Sequence, residues 1–153
     1  MDTQNTLNAA PLDAAAAAKA AFAAVEGLPF PDDIFTAPEL RWAVIGCGVI
    51  ANQMAQSLAL AGRKVYGVAN RTFAKAEAFA AEYGVARVYR TVEELYADPA
   101  VDAIYITTPH NTHIEYLRGA LAAGKHVLCE KAITLNSDEL AEARAIADEH
   151  HVV

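Results

Sequence analysis

The sequence predicts an α/β fold in which a doubly wound, parallel β-sheet carries helices on both faces. From about residue 40 onward, short runs rich in Val and Ile alternate with stretches in which apolar residues recur at helical spacing. The Val- and Ile-rich runs lack polar alternation, which is typical of strands that are covered on both faces of a parallel sheet. Right-handed crossovers between successive strands then produce the doubly wound arrangement.

The composition fits one folded domain and excludes several classes of protein. The chain has 153 residues, of which 54% are hydrophobic, so a core can form and general disorder is excluded. A formal net charge of −7 argues against binding to nucleic acid and against docking on anionic lipid. No run predicts a membrane span, and the first residues lack the features of a secretory signal. We therefore expect a cytoplasmic protein in which Cys47 and Cys129 are free thiols.

The predicted elements begin and end at recognisable signals. Glycines end the first, second and fourth helices, and Thr72, Thr91 and Ser137 are the predicted N-terminal caps of three helices. Val152 and Val153 could open a sixth strand. The strands are predicted over residues 41–45, 65–69, 87–89, 101–106 and 126–129, and the helices over 51–61, 73–83, a short stretch after Thr91, 112–123 and 137–150.

Residues 1–38 differ from the rest and are predicted to form an N-terminal extension. An alanine-rich stretch that ends at Val25 has high helix propensity, and Pro29, Pro31 and Pro38 then impose an extended strap. The helix could dock another domain or subunit, or it could simply cover part of the domain that follows. Residues 39–153 are predicted to be a dinucleotide-binding domain.

The strongest local motif is a glycine turn that directly follows the first predicted strand and opens the first helix. It fits the G-x-G-x-x-G/A fingerprint, in which the first glycine permits a tight turn and the second lets a diphosphate approach the backbone. The helix N-terminus then faces the diphosphate with free amide groups, as in a Rossmann fold. The alternative is a glycine turn used only for packing. The motif comprises Gly46, Cys47, Gly48, Val49, Ile50 and Ala51, and we expect the first five to bind the cofactor.

The end of the second strand favours NADP over NAD. NAD enzymes usually place Asp or Glu here to bind the ribose 2′-hydroxyl, but this chain has Asn70. Arg71 and Thr72 follow, with Lys75 one turn along, and a cation beside a hydroxyl suits a 2′-phosphate. The alternative is a solvated Arg71, with either cofactor bound through Asn70.

Two later strand ends carry polar residues, and ligands of such sheets bind outside the carboxyl ends of the strands. The fourth strand ends in the sequence Thr-Thr-Pro-His-Asn-Thr-His over residues 107–113. The fifth strand lies within the sequence Gly-Lys-His-Val-Leu-Cys-Glu-Lys over residues 124–131, and the Glu-Lys pair at residues 130–131 follows the strand. Together with the glycine turn, these motifs resemble the Gfo/Idh/MocA family of glucose–fructose oxidoreductases and inositol dehydrogenases. The resemblance runs from about Arg41 to the last residue.

The resemblance implies hydride transfer between a nicotinamide cofactor and a hydroxyl or carbonyl of a sugar, polyol or related compound. Lys131 matches the active-site lysine that binds and polarises the reacting oxygen, and an ammonium can stabilise a developing alkoxide. Glu130 matches a residue near the nicotinamide ribose, while Ala132 replaces the usual proline. The residues expected to lie along the cofactor are Thr107, Thr108, Pro109, His110, His113, Glu130 and Lys131.

The sequence also allows interpretations in which several of these residues have no functional role. A Glu-Lys pair that follows a strand often lies in a solvated loop, so the pair alone does not indicate a function. The roles expected for Glu130 and Lys131 come from the resemblance. His110 and His113 have a spacing that could ligate a metal, but no third ligand is evident in the sequence, so we predict no metal site.

The resemblance also implies a second, substrate-binding domain for which this chain has no residues. We therefore expect the cofactor half of an oxidoreductase with little activity alone, which could form a homo-oligomer. An apolar sheet edge exposed by truncation could instead cause non-native association. The alternative is a non-catalytic dinucleotide-binding or sensing module.

Overall fold

A computed structural model describes residues 39–153 of the chain. The alanine-rich helix and proline strap predicted over residues 1–38 lie outside the described residues. Within residues 39–153, no helix is long and apolar enough to cross a bilayer.

The described residues form a five-stranded sheet in which every pairing is parallel, with the strand order β3-β2-β1-β4-β5. This arrangement confirms the predicted doubly wound α/β fold, because the chain builds outward from β1 in one direction and then in the other. The strands are β1 Trp42–Ile45, β2 Gly67–Ala69, β3 Arg87–Tyr89, β4 Ala103–Ile106 and β5 His126–Cys129.

Within residues 39–153, five α-helices connect and cover the strands, and one 3₁₀ turn, His110–Thr112, leads into the fourth of these helices. The first helix begins at Val49, two residues earlier than the sequence predicts. The bounds are α1 Val49–Leu60, α2 Phe73–Tyr83, α3 Val92–Ala97, α4 His113–Ala122 and α5 Ser137–His150.

Two of the predicted helix caps need correction. Thr91 caps α3 as expected, since its Oγ1 accepts a hydrogen bond of 3.3 Å from the Glu94 amide. The cap of α5 is Asn136, whose Oδ1 lies 2.9 Å from the Glu139 amide, and the predicted Ser137 is instead the first helical residue. Thr72 occupies the N-cap position of α2, but its side chain makes no capping hydrogen bond.

The core has two layers because alternate strand residues point to opposite faces of the sheet. Val44 packs with residues of α1 and α2 on one face. Ile45, Ile104 and Leu95 pack on the other face with residues of α3, α4 and α5. Helices therefore cover both faces, as predicted.

The sixth strand suggested at the last two residues is not formed. The amide of Val127 in β5 donates a hydrogen bond of 2.7 Å to the carbonyl of Val153. Val153 therefore contacts the outer edge of β5 but is not part of a strand.

Replacing Leu95 by Ala should destabilise the domain by about 2–5 kcal/mol, because the side chain is fully buried and a cavity would remain. Leu60→Ala is a matched control, since Leu60 is 74% exposed and its truncation should change the free energy of unfolding by less than about 0.5 kcal/mol. Urea unfolding of the two variants measures the difference. Equal effects would contradict this description of the core.

Candidate cofactor site

A groove with a volume of about 760 Å³ runs along the carboxyl edge of the sheet. Its walls come from the segments that follow β1, β2, β3 and β4, which is where a doubly wound sheet binds its ligands. The predicted site residues that line it are Gly46, Cys47, Gly48, Asn70, Arg71, Thr72, Lys75, Thr107, Thr108 and Pro109.

Gly46 lies where the turn after β1 passes closest to the end of β4. Its φ of +102° is a conformation that residues with a side chain rarely adopt. A Cβ at this position would lie 2.8 Å from Oγ1 of Thr107 and 3.3 Å from the Thr107 carbonyl carbon. Thr107 is itself held in place, since its Oγ1 donates to the Ile45 carbonyl over 3.1 Å. Glycine is therefore required here by both backbone conformation and space.

Gly48 meets a different requirement. It is the N-cap residue of α1 with an ordinary φ of −80°, and nothing lies within 4 Å of where its Cβ would be. That open space borders the N-terminus of α1, whose first amide groups have no partners within the helix. A diphosphate would fit this space and accept hydrogen bonds from those amides, so the residues present suit a dinucleotide.

Val49 and Ile50 continue the glycine motif but do not line the groove. Their side chains are 72% and 38% exposed, respectively. They contribute backbone amides at the helix start.

The groove is basic where it passes β2 and β3. Arg71 and Lys75 line it, and Arg90, which follows β3, adds a third cation. The Arg90 guanidinium carbon lies 4.4 Å from the centre of the Phe73 ring, a cation–π contact that orients this side chain. The Asn70 amide donates to the Thr72 carbonyl over 2.9 Å and stabilises the turn between β2 and α2.

Cys47 lines the groove as a protonated thiol. Burial raises its pKa to about 11, and the nearby Lys75 only partly offsets this effect. Burial likewise raises the pKa of Cys129 to about 11, and both cysteines are free. Neither thiol is therefore activated as a nucleophile.

The segment after β4 forms the next part of the wall. The hydroxyl of Thr112 donates to the Pro109 carbonyl over 2.7 Å and lies 2.9 Å from the Thr108 hydroxyl, which ties the 3₁₀ turn to the strand end. His110 lies in this turn but does not line the groove, and its ring stands edge-on to that of His113 at 5.6 Å between centroids.

His113 is fully buried and does not line the groove. Its Nδ1 lies 2.9 Å from the Ala132 carbonyl oxygen, and its Nε2 lies 2.8 Å from the Thr108 carbonyl oxygen. Both ring nitrogens are thus engaged by the backbone, so His113 links two strand-end segments and has no free nitrogen for a ligand.

Glu130 and Lys131 follow β5, outside the residues that line the groove. Tyr105 donates its hydroxyl proton to the Glu130 carboxylate, and this hydrogen bond is the main cause of a lowered pKa at Glu130, with a further contribution from Lys131. Lys131 is exposed, and the peptide bond between Lys131 and Ala132 is cis.

Residues 39–153 contain no group of three or more His, Cys, Asp or Glu side chains that could hold a metal ion. Within this part of the chain, His110 and His113 therefore do not belong to a group of side chains that could hold a metal ion.

Several residues that line the groove were not predicted from the sequence. They come from the segment between β3 and α3, the 3₁₀ turn and the first turn of α4, which the strand order brings to the site. One signal was available, because Arg90 and Thr91 directly follow a predicted strand and the same carboxyl-edge rule applies to them. The missed polar and aromatic residues are Arg90, Thr91, Asn111, Thr112, Glu115 and Tyr116.

Comparison with known proteins decides the family. Residues 40–153 match the model of the Gfo/Idh/MocA oxidoreductases, described as having an NAD-binding Rossmann fold. The chain belongs to this family. The resemblance inferred from the sequence motifs is confirmed, and this Gfo/Idh/MocA domain is an NAD(P)-binding domain.

Curated relatives are similar over most of this domain. Trans-1,2-dihydrobenzene-1,2-diol dehydrogenase of Mus musculus is 40% identical over 111 residues, which is 71% of this chain and 33% of the relative. The 1,5-anhydro-D-fructose reductase of Ensifer adhaerens is 35% identical over 114 residues, which is 74% of this chain and 34% of the relative. The chain spans about a third of the length of the curated relatives that it matches.

Solved structures share the fold. A 3-ketoreductase from Actinomadura kijaniata in complex with NADP and TDP-benzene superposes with a TM-score of 0.70 at 31% identity, covering 76% of this chain and 36% of the other. The UDP-N-acetylglucosamine 3-dehydrogenase of Acidithiobacillus ferrooxidans has a TM-score of 0.68 at 35% identity, covering 76% of this chain and 38% of the other.

The two glycines of the turn should respond differently to the same substitution. Gly46→Ala should destabilise the domain by about 2–3 kcal/mol, because the added Cβ meets Thr107 in a strained backbone conformation. Gly48→Ala should cost about 1 kcal/mol or less, because only the N-cap preference is lost. Urea unfolding gives both values. A larger loss at Gly48 than at Gly46 would contradict the geometry of the turn.

Proposed function

We propose that this domain binds NADPH in preference to NADH and serves an oxidoreductase that transfers hydride between the cofactor and a hydroxyl or carbonyl of a sugar, polyol or related compound. The observation that carries the cofactor preference is the cluster of Arg71, Lys75 and Arg90 along the groove, beside an amide at Asn70 where NAD enzymes usually have a carboxylate.

The charge at this end of the groove favours a phosphate over a free hydroxyl. A 2′-phosphate offers oxygens that accept charge-assisted hydrogen bonds, and an arginine fork can bind two of them at once. Arg90 is already oriented by Phe73, so little side-chain freedom remains to be lost on binding. The 3-ketoreductase whose fold is similar was solved with NADP, which is consistent with this preference.

Lys131 is the proposed catalytic residue. Its ammonium would bind the reacting oxygen and stabilise negative charge that develops there during hydride transfer. Glu130 would contact the nicotinamide ribose. Support comes from the Glu-Lys motif after β5 and from relatives named as dehydrogenases and reductases of hydroxyl and carbonyl compounds.

A non-catalytic dinucleotide-binding or sensing module is the second candidate. The observation that favours it is the position of Lys131 outside the groove-lining residues. The two candidates share the cofactor site and differ in whether hydride is transferred.

Calorimetric titration should give tighter binding of NADPH than of NADH. Arg71→Ala should weaken NADPH binding by about tenfold or more, since a hydrogen bond to a charged group contributes about 1.5–3 kcal/mol, and should leave NADH within about threefold. Arg144→Ala is the matched control, because Arg144 is an exposed arginine on α5 that does not line the groove. Gly48→Ala should weaken both cofactors alike, because they share the diphosphate. Equal NADPH and NADH binding would remove the NADP assignment.

Absorbance at 340 nm measures whether NADPH is oxidised by hexose and cyclic-polyol ketones. We expect slow turnover that Lys131→Met lowers by about a hundredfold, the loss typical of removing one donor to a developing oxyanion. Lys64→Met, at an exposed lysine before β2, is the matched control and should keep the parent rate. NADPH binding with no turnover of any compound would favour the non-catalytic module.

A further inference from the structure

Two buried side chains contact the residues on either side of Lys131. Tyr105 bonds to Glu130 and His113 bonds to Ala132, and these two anchors are only 8% and 0% exposed. We propose that Tyr105 and His113 are positioning residues that together fix the backbone of residues 130–132, and hence Lys131, relative to the cofactor groove. This inference rests on the proposed function, in which Lys131 binds the reacting oxygen.

The sheet alone gives the Lys131 segment, residues 130–132, limited support. β5 is an edge strand of the described sheet, and its pairing with β4 ends at Cys129 opposite Ile106. The Glu130 amide adds one hydrogen bond of 3.0 Å to the Ile106 carbonyl. Leu128 in β5 is 49% exposed, so its side chain does little to anchor the strand. The segment therefore leaves the sheet at an edge, where contacts from other elements set its position.

Tyr105 anchors the N-terminal side of the segment from the rigid centre of the fold. It belongs to β4, where it is paired with Val44 of β1 on one side and Leu128 of β5 on the other. Burial raises the pKa of its hydroxyl to about 12, so the phenol keeps its proton at neutral pH. Because a carboxylate only accepts, the hydroxyl donates to Glu130 and holds this side chain against the sheet.

His113 anchors the C-terminal side. Its ring connects the Ala132 carbonyl, at 2.9 Å, to the Thr108 carbonyl, at 2.8 Å, and Thr108 lines the groove. Carbonyl oxygens only accept, so a neutral imidazole donates to one of them at a time and an imidazolium donates to both. A single buried ring thus joins the groove wall to the Lys131 segment.

The consequence for chemistry follows from the required precision. A group that binds a reacting oxygen must be held within about 0.5 Å of its productive position, and contacts outside the site usually provide this restraint. The lysine side chain is long and flexible, so fixing its backbone on both sides is the most direct way to restrict where its ammonium can reach.

The decisive measurement is backbone ¹⁵N relaxation of residues 131–133, which reports order on the ps–ns timescale. Tyr105→Phe removes only the hydroxyl, and the order parameters should fall from about 0.85 toward 0.6 or below, the range of flexible backbone. Tyr89→Phe is the matched control. Tyr89 is likewise a buried tyrosine in a strand. Its hydroxyl donates to the carboxylate of Asp98, a residue that precedes β4, over 2.7 Å.

A carboxyl ¹³C titration of the same variants separates positioning from general loosening. Tyr105→Phe should raise the pKa of Glu130 toward the ordinary glutamate value, because the hydroxyl that stabilises the carboxylate is gone. Tyr89→Phe should leave the Glu130 pKa unchanged. An unchanged titration in Tyr105→Phe would overturn the role of Tyr105.

His113 is tested by loss and rescue. His113→Leu should lower the order of residues 131–133 while the amides of β1 and β4 keep theirs, and His113→Gln, whose amide has two N–H donors, should restore much of it. Equal order in His113→Leu and the parent would overturn the proposal. Loosening of β1 and β4 along with the segment would also overturn it, because His113 would then be a general core residue. If His113→Leu does not fold, Tyr105→Phe decides.

Titration of these samples with NADPH distinguishes failure of the proposed function from failure of the positioning role. Failure of the parent chain to bind NADPH, with the segment responding as expected, would remove the proposed function and leave only the structural anchoring of residues 130–132 by Tyr105 and His113. Normal NADPH binding with a segment that does not respond would overturn the positioning role alone.

Discussion

The close approach of Gly46 to Thr107 is the constraint on which the cofactor site depends. The turn after β1 must reverse into α1 while it passes the end of β4, and only a residue without Cβ can do so at a φ of +102° beside Thr107. This contact sets where α1 begins, and so where its free amides face. It also brings the turn after β1 against the end of β4, so that the open space beside Gly48 and residues 107–109 belong to one groove.

The groove combines two electrostatic environments that the strand order brings together. At its centre lies the N-terminus of α1, where the positive end of the helix dipole and unpaired amides favour an anion. Further along, the segments after β2 and β3 contribute Arg71, Lys75 and Arg90. Although the whole chain carries a net charge of −7, this edge of the sheet presents a local concentration of positive charge. Local placement and not net charge therefore governs which ligand the domain can accept.

The Lys131 segment differs in kind from the groove. The groove is built by turns that follow sheet strands directly, whereas the segment leaves the edge strand and is held by Tyr105 and His113. His113 also contacts the Thr108 carbonyl. The same buried ring therefore contacts both the groove wall and the Lys131 segment. The end of β4, the strand next to β1 at the point where the strand order reverses, therefore contributes to the groove wall and is also linked through His113 to the Lys131 segment.

Much of the fold and half of the site could be predicted from the sequence by itself. The alternation of Val- and Ile-rich runs with helical stretches determined the parallel sheet, because burial on both faces removes polar residues from the strands. The glycine turn, lying between a strand and a helix, determined the open space at the start of α1, because its requirements are local backbone conformation and room. The contacts of Arg90, Tyr105 and His113 were decided only by the tertiary structure. Their partners are Phe73, Glu130, Ala132 and Thr108, which the chain brings into contact only once the strand order 3-2-1-4-5 and the direction of each side chain are set. Such contacts depend on long-range packing, and no local pattern of residues encodes them.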